Sequence, residues 1–149
     1  MRILADTGLL VRYSLPGDPS HQLCRGALDA LAQAGHQLCT CCQGLAEFWA
    51  VSTRPADVNG LGMSFDKAMI SLRAIETAFT LLPEPPDVAQ YWRRLIEDYR
   101  VLGKQAHDAR LAALMLAHGV THILTLNPGD FARYDGITPV TPQEVRQTP

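Results

Sequence analysis

Short apolar runs alternate with longer amphipathic stretches along this chain, and the alternation predicts its elements. The apolar runs predict strands at Arg2–Ala5, His36–Thr40, Phe79–Leu82, His122–Leu126 and Gly136–Val140. Apolar residues at helical spacing predict helices at Thr7–Tyr13, Ser20–Ala34, Gln43–Thr53, Ser64–Ala78 and Asp87–Leu102, and in the stretch from Gly103 to Gly119. Strands and helices in this order predict an α/β fold with a mainly parallel central sheet flanked by helices.

Several of these segments carry a more specific prediction. The run at His122–Leu126 suits a strand that is covered on both faces of the sheet. The helix at Gln43–Thr53 is apolar around nearly its whole surface, which predicts a buried helix. Trp92 falls on the apolar stripe of its helix, so we expect it in the core rather than on a platform that stacks nucleic-acid bases. The loop Arg54–Met63 is long enough to form a flap or a binding edge.

Length and composition bound the class of protein. With 149 residues, 47% of them hydrophobic, the chain fits a single domain over residues 1–149 with its own core. No run approaches the roughly 20 apolar residues of a membrane span, and the N-terminus lacks the layout of a signal peptide. We therefore expect a cytoplasmic protein that is not associated with a membrane.

The charge of the chain limits how it could bind nucleic acid. The net charge of −2 provides no global field that would attract a polyanion, so binding would depend on a local basic patch. A solvated helix surface is the alternative explanation for clustered basic residues. The residues that could form such a patch are Arg93, Arg94, Arg100, Lys104 and Arg110.

The cysteines are few and crowded, unlike the disulfide framework of a small secreted domain. Cys39, Cys41 and Cys42 stand close to His36, but their spacing differs from that of zinc sites and no second pair of ligands follows. We expect reduced thiols that act as small buried hydrophobes.

Acidic residues stand at positions where burial would be costly. Asp6 ends the first strand and can also cap the helix that follows it. Glu47 is the only charged residue of its apolar helix, and Asp108 shares a helix face with apolar residues. A buried carboxylate needs compensation, which an arginine could provide for Glu47. A metal ion shared by three acids from separate elements is the simpler explanation.

A fourth position of the site is expected after the last buried strand. Ligands of open α/β sheets bind outside the carboxyl ends of the strands, and this strand ends at Asn127-Pro128-Gly129-Asp130. Either Asn127 or Asp130 could therefore reach the acidic site. In the alternative, both residues are structural: Asn127 caps a helix, Pro128 is its first residue, and Asp130 faces the helix dipole.

Clustered carboxylates indicate the kind of cation and substrate. They repel one another unless cations neutralise them, and hard oxygen ligands favour Mg²⁺ or Mn²⁺. Two such ions about 3.5–4 Å apart can activate a water and stabilise the leaving oxygen of a phosphodiester. The predicted substrate therefore carries phosphate.

The order and spacing of these motifs resemble the PIN-domain ribonucleases, and most closely the VapC-type toxins of bacterial toxin–antitoxin pairs. The resemblance implies magnesium-dependent cleavage of single-stranded RNA, with Mn²⁺ able to substitute. It implies that Asp6, Glu47 and Asp108 are the metal-site acids and that Asn127 or Asp130 occupies the fourth catalytic position. The segments that carry it are Ile3–Thr7, Leu45–Phe48, His107–Ala113 and Leu124–Phe131.

Two residues depart from the family pattern. Gly8 stands where the family usually has Asn or Ser, and Asn127 stands where it often has an acid. A catalytically weakened binding module with a PIN fold, or a housekeeping RNA-processing nuclease, are therefore the alternative functions.

The resemblance also implies protein partners. The family is commonly dimeric and is paired with an antitoxin. We expect a basic side chain of the antitoxin, best an arginine, to cover the acidic cleft. An apolar segment of the antitoxin would lie between the loop Arg54–Met63 and the helix that follows it.

Overall fold

Parallel strands form a central five-stranded sheet in the computed structural model, which describes residues 1–147. The strands are β1 (Arg2–Ala5), β2 (Gln37–Cys41), β3 (Thr80–Leu82), β4 (His122–Leu124) and β5 (Thr138–Val140). Their order across the sheet is β3-β2-β1-β4-β5, and every neighbouring pair is parallel. The α/β fold with a parallel central sheet is thus confirmed, with β5, which contains Pro139, at one edge.

Helices connect the strands and cover both faces of the sheet. They are α1 (Thr7–Tyr13), α2 (His21–Gln33), α3 (Cys42–Thr53), α4 (Phe65–Ala78), α5 (Val88–Tyr99), α6 (Gln105–His118) and α7 (Pro142–Gln147). Short 3₁₀ helices lie at Ala56–Val58 and Pro128–Asp130. Within residues 1–147, no helix combines the length and the apolar composition that crossing a membrane requires.

Helix α7 was missed from the sequence, although the sequence contains its start signal. The backbone N–H of Thr141 donates to Glu144 Oε2 at 2.7 Å, and the N–H of Glu144 donates to Thr141 Oγ1 at 3.3 Å. This reciprocal pair is a capping box, which a Thr followed three residues later by Glu can form.

The central strand β1 divides the core into two layers. Leu4 and Ile123 pack on one face with apolar residues of α5 and α6. Ile3, Ala5 and Leu124 pack on the other face with residues of α1, α2, α3 and α4. Alternate side chains of a strand point to opposite faces, so β1 and its neighbour β4 are buried on both sides, as the apolar run of β4 predicted.

The cysteines agree with their predicted role as reduced, mostly buried thiols. All four are free; Cys24, Cys39 and Cys41 are buried, and Cys42 is exposed. Burial is also the largest cause of the raised pKa of each of the three buried thiols.

Two predictions about burial were wrong. Helix α3 buries one stripe, Gly44, Phe48 and Ser52, because only that side packs against α1 and α4. Trp92 is 36% exposed rather than in the core, and its Nε1 donates to the backbone oxygen of Ala106 at 3.0 Å. In both helices, apolar composition alone did not identify the side that packs.

The loop Arg54–Met63 is held against the end of α3 rather than free as a flap. The N–H of Leu61 donates to the oxygen of Val51 at 2.9 Å, and the N–H of Met63 donates to the oxygen of Ser52 at 2.8 Å. The N–H of Gly62 donates to the backbone oxygen of Arg54 at 2.9 Å. The guanidinium of Arg54 donates to the backbone oxygen of Asn59 at 2.9 Å, which closes the loop further. These bonds fold the loop into a compact hairpin-like cap.

Gly60 allows the closest approach inside this loop, which leads to a stability prediction. A Cβ at Gly60 would lie 1.8 Å from the carbonyl oxygen of Arg54, so Gly60→Ala must displace backbone. We expect the free energy of unfolding to fall by about 1–3 kcal/mol, the usual cost of overpacking. Urea unfolding followed by circular dichroism measures it. Gly17→Ala is the control, because its Cβ would meet nothing within 4 Å; equal stability of the two variants would contradict the prediction.

Candidate functional site

Asp6 is anchored where the two central strands end. Strands β1 and β4 are parallel with Ala5 opposite Leu124, so the residues that follow them meet at one edge of the sheet. Asp6 Oδ1 accepts from the N–H of Thr7 at 2.7 Å, and Oδ2 accepts from Thr125 Oγ1 at 2.8 Å. Asp6 therefore caps α1 and at the same time presents its carboxylate at the carboxyl edge of the sheet.

Glu47 reaches the same edge from α3 and is held by neutral groups. Its Oε2 accepts from Thr7 Oγ1 at 2.8 Å, and its Oε1 accepts from Gln43 Nε2 at 2.8 Å. No arginine or lysine of residues 1–147 forms an ion pair with Glu47. The arginine considered as its structural partner is therefore absent from the described chain.

Asp108, in the first turn of α6, completes the trio of acids. Its pKa is raised to about 6, mainly by burial and then by the charges of Asp130, Asp6 and Glu47 in that order, while His107 opposes the shift. The pKa of Asp6 is also raised, mainly by burial, although the bonds from Thr125 and Thr7 oppose the shift. The carboxylates of Asp6, Glu47, Asp108 and Asp130 thus influence one another electrostatically and face one region of the molecule.

The turn after β4 carries both candidates for the fourth position. The charge of Asp130, which is exposed, raises the pKa of both Asp6 and Asp108. Asn127 is exposed, and its side chain makes no capping hydrogen bond to the 3₁₀ helix Pro128–Asp130. The structural alternative agrees with the positions of these residues, because Asn127 is the N-cap residue, Pro128 begins the helix and Asp130 lies in its first turn. Capping by the Asn127 side chain is the part that was wrong, and the backbone N–H of Asn127 instead donates to Thr125 Oγ1 at 3.1 Å.

The donor set suits a hard divalent cation. Asp6, Glu47, Asp108 and Asp130 supply only carboxylate oxygens, and none of them forms an ion pair within residues 1–147. In the same part of the chain, no three His, Cys, Asp or Glu side chains converge closely enough to hold one ion together. Mg²⁺ commonly keeps several waters and binds only one or two carboxylates directly. Carboxylates that do not converge as a group of three can therefore still hold it.

Sequence reasoning missed the neutral residues that orient these acids. Thr7 and Thr125 are buried and donate to Glu47 and Asp6, while Gln43 links Glu47 to α6. A signal exists for Thr125, because a hydroxyl inside the apolar run Leu124-Thr125-Leu126 needs a partner once buried. Gln43 carries no such signal, since an amide at a helix start is ordinary.

The chain matches one family model in sequence and several solved structures in fold. The family model described as PIN domain matches residues 3–137. No curated protein matches the chain in sequence.

Several solved structures share the fold at low sequence identity. VapBC2 from Rickettsia felis, bound to a DNA fragment from its promoter, has a TM-score of 0.71 and 16% identity, covering 95% of this chain and 98% of that chain. DNA-bound VapBC from Salmonella typhimurium has a TM-score of 0.70 and 13% identity, with the same coverage of 95% and 98%. VapC20 from Mycobacterium tuberculosis, described as a Sarcin-Ricin loop cleaving toxin, has a TM-score of 0.60 and 18% identity, covering 81% and 86%.

The raised pKa of Asp108 predicts how stability depends on pH in the absence of metal. A carboxyl with a folded-state pKa near 6 and an ordinary value of 3.8 stabilises the fold below about pH 4 and loses that contribution as pH rises through 6. In Asp108→Asn the side chain stays neutral at every pH, so the variant does not lose this stability as pH rises. We expect its melting temperature to exceed that of the wild type by about 3 °C at pH 7.5, with the gap closing towards pH 4.

Thermal melts in excess chelator at a series of pH values measure this gap. Asp98→Asn, an exposed acid on α5, serves as the control and should show no pH-dependent gap. If the gap for Asp108→Asn stays constant from pH 4 to 7.5, the pKa of Asp108 is not raised in the folded state.

Proposed function

Because this chain belongs to the PIN domain family, we propose that it is a metal-dependent endoribonuclease that acts as the toxin of a toxin–antitoxin pair. The observation that carries the proposal is the set of four carboxylates, Asp6, Glu47, Asp108 and Asp130, gathered without an ion-paired cation among the described residues. Mg²⁺ is the proposed cofactor, and Mn²⁺ can substitute for it.

Each acid has a proposed role in this site. Asp6 and Asp108 bind the cation directly, and Glu47 holds a second ion or its waters. When bound, the cation lowers the pKa of a water and stabilises negative charge on the phosphate. The protein's own contribution is orientation: the hydrogen bonds from Thr7 and Thr125 hold the carboxylates of Glu47 and Asp6 in place without neutralising them.

We assign the fourth position to Asp130 rather than to Asn127. Asp130 supplies a negative charge close to Asp6 and Asp108, which a neutral amide does not. This assignment favours a working nuclease over the weakened binding module, because an acid is present even though Asn127 departs from the family pattern. At Gly8, the other departure, an added Cβ would meet only Asp6 Oδ2, at 4.0 Å, so the missing side chain leaves space beside the site.

Single-stranded RNA is the proposed substrate. The similar toxin from M. tuberculosis is described as cleaving the Sarcin-Ricin loop, which supports RNA as the substrate class. Exposed basic residues on α5 and in the turn before α6 offer contacts for the phosphate backbone: Arg94, Arg100 and Lys104. Arg93 and Arg110 contribute less charge, since Glu97 and Glu84 pair with them. The cytoplasm, where RNA is accessible, is the proposed location.

Replacing the Asp6 carboxylate with a neutral amide tests the enzyme proposal. Asp6→Asn keeps the size of the side chain but removes a charge that a cation requires. We expect Mg²⁺-dependent cleavage of a mixed RNA pool to fall by at least about 100-fold, since the metal site is lost. Asp98→Asn should cleave as the wild type does, and both variants should show native circular dichroism.

The same cleavage assay distinguishes the two residues after β4. Asp130→Asn should raise the Mn²⁺ concentration needed for half-maximal cleavage, whereas Asn127→Ala should leave it unchanged. The opposite pattern would transfer the fourth position to Asn127. Full cleavage by Asp6→Asn, or by the wild type in excess chelator, would refute the nuclease proposal and favour a binding module.

The proposed antitoxin site is a groove beside α4. A cavity of about 700 Å³ lies between the end of α1, the loop Arg54–Met63 and α4. Ile70 lines it and is 68% exposed, and the neighbouring Phe65 is 67% exposed while packing edge-on against Trp49. Exposed apolar side chains around a groove suit the apolar face of a partner segment. The similar structures from R. felis and S. typhimurium are VapBC assemblies, which supports a partner of this kind.

We expect Ile70→Glu to abolish binding of the antitoxin without affecting RNA cleavage, because it places a charge in an apolar contact. Leu102→Glu is the matched control, since Leu102 is equally apolar, 78% exposed and outside the groove. Both variants are co-expressed with the product of the neighbouring gene and assayed by co-purification and by relief of growth arrest. Binding of Ile70→Glu at wild-type strength would refute the groove.

Assembly and biological role have separate readouts. The family resemblance supports a homodimer, which sedimentation of the isolated protein tests. A neighbouring reading frame that encodes no small DNA-binding protein would favour the housekeeping RNA-processing nuclease over the toxin.

A further inference from the structure

Gln43 connects the two helices that carry Glu47 and Asp108. Its Nε2 donates to Glu47 Oε1 at 2.8 Å and to the backbone oxygen of His107 at 2.9 Å. Its Oε1 accepts from Arg110 Nη1 at 2.6 Å. Every strong hydrogen-bonding group of this amide is thus engaged between α3 and α6.

Three partners agree on which way the Gln43 amide points. The Glu47 carboxylate and the His107 carbonyl only accept hydrogen bonds, so both require the NH₂ group. A guanidinium has only donors, so Arg110 meets the oxygen of Gln43 and supports the same orientation. Arg110 is itself held by Glu84, whose Oε1 accepts from Nη2 at 2.7 Å.

This arrangement keeps positive charge one residue away from Glu47. A direct Arg–Glu pair would satisfy the carboxylate and compete with a cation for it. The amide instead fixes one oxygen of Glu47 while leaving the full negative charge on the carboxylate. The other oxygen is fixed by Thr7 in the same neutral way.

We propose that Gln43 is a positioning residue that holds Glu47 in the geometry required for cation binding, and that Arg110, held by Glu84, supports its amide from the other side. The inference rests on the proposed metal-dependent function and goes beyond it, because it assigns the metal affinity of the site to residues that do not touch the ion. Partners that orient metal ligands typically contribute a factor of about 10–100 in metal affinity.

The test measures Mn²⁺ binding by titration calorimetry on the full chain, alongside RNA cleavage and melting in chelator. Gln43→Met retains the length of the side chain but removes its hydrogen bonds. We expect the Kd for Mn²⁺ to rise about 10-fold, with a matching rise in the metal concentration for half-maximal cleavage. Arg110→Met removes the donor to the Gln43 oxygen but leaves the bonds of Gln43 to Glu47 and His107, so it should raise the Kd by a smaller factor, and Arg110→Lys should restore part of the loss.

Controls separate this role from a structural tie between the helices. Gln90→Met, at an exposed glutamine on α5, should leave Mn²⁺ binding and cleavage unchanged. If Gln43→Met melts lower but binds Mn²⁺ as the wild type does, the positioning role is overturned. If Gln43→Met fails to fold, Gln43→Asn, which keeps the amide but shortens its reach to Glu47 and His107, decides the matter by the same comparison.

Different results would overturn the metal-dependent function and the role of Gln43. A wild-type protein that binds no Mn²⁺ overturns the metal-dependent function and the role of Gln43 together. A wild type that binds Mn²⁺, loses it in Asp6→Asn and keeps it in both Gln43→Met and Arg110→Met overturns the role of Gln43 alone.

Discussion

The partial burial of Asp6 and Asp108 near other acids is the constraint to which the surrounding structure responds. Burial and like charges raise the pKa of Asp6 and Asp108, so the acids are held where their charged forms are unfavourable. The apolar strands β1 and β4, buried on both faces, supply the rigidity that keeps them there. A fold with a weaker core would relax by moving the acids apart, and the site depends on this not happening.

Neutral donors rather than cations hold the cluster together. Thr7, Thr125 and Gln43 fix the carboxylates of Asp6 and Glu47 through hydroxyl, amide and backbone hydrogen bonds. Such bonds orient a carboxylate but leave its charge intact, whereas an arginine would cancel it. The guanidinium of Arg110 is paired with Glu84 and bonds to the amide of Gln43, which in turn bonds to Glu47. The carboxylates of Asp6 and Glu47 are therefore oriented by hydrogen bonds, while no ion pair among the described residues neutralises their charge.

The sequence predicts the features that depend on local pattern and on the cost of burial. It locates the strands, because apolar runs have few alternatives, and it selects Asp6, Glu47 and Asp108, because lone acids beside apolar residues need an explanation. It does not distinguish Asp130 from Asn127, since that depends on how a three-residue 3₁₀ turn directs the chain after β4. The partial burial of α3 and the surface position of Trp92 were also beyond it, because tertiary packing selects which side of an apolar helix is covered.

The hydrogen-bonded loop Arg54–Met63 has a consequence for association kinetics. Backbone bonds to Val51, Ser52 and Arg54 fix one wall of the α4 groove before any partner arrives. Little conformational entropy remains for this wall to lose, so the cost of ordering falls on the incoming segment. For the proposed antitoxin, encounter would then need no rearrangement of this surface, and the lifetime of the complex rather than its rate of formation would govern how long the acidic residues stay covered.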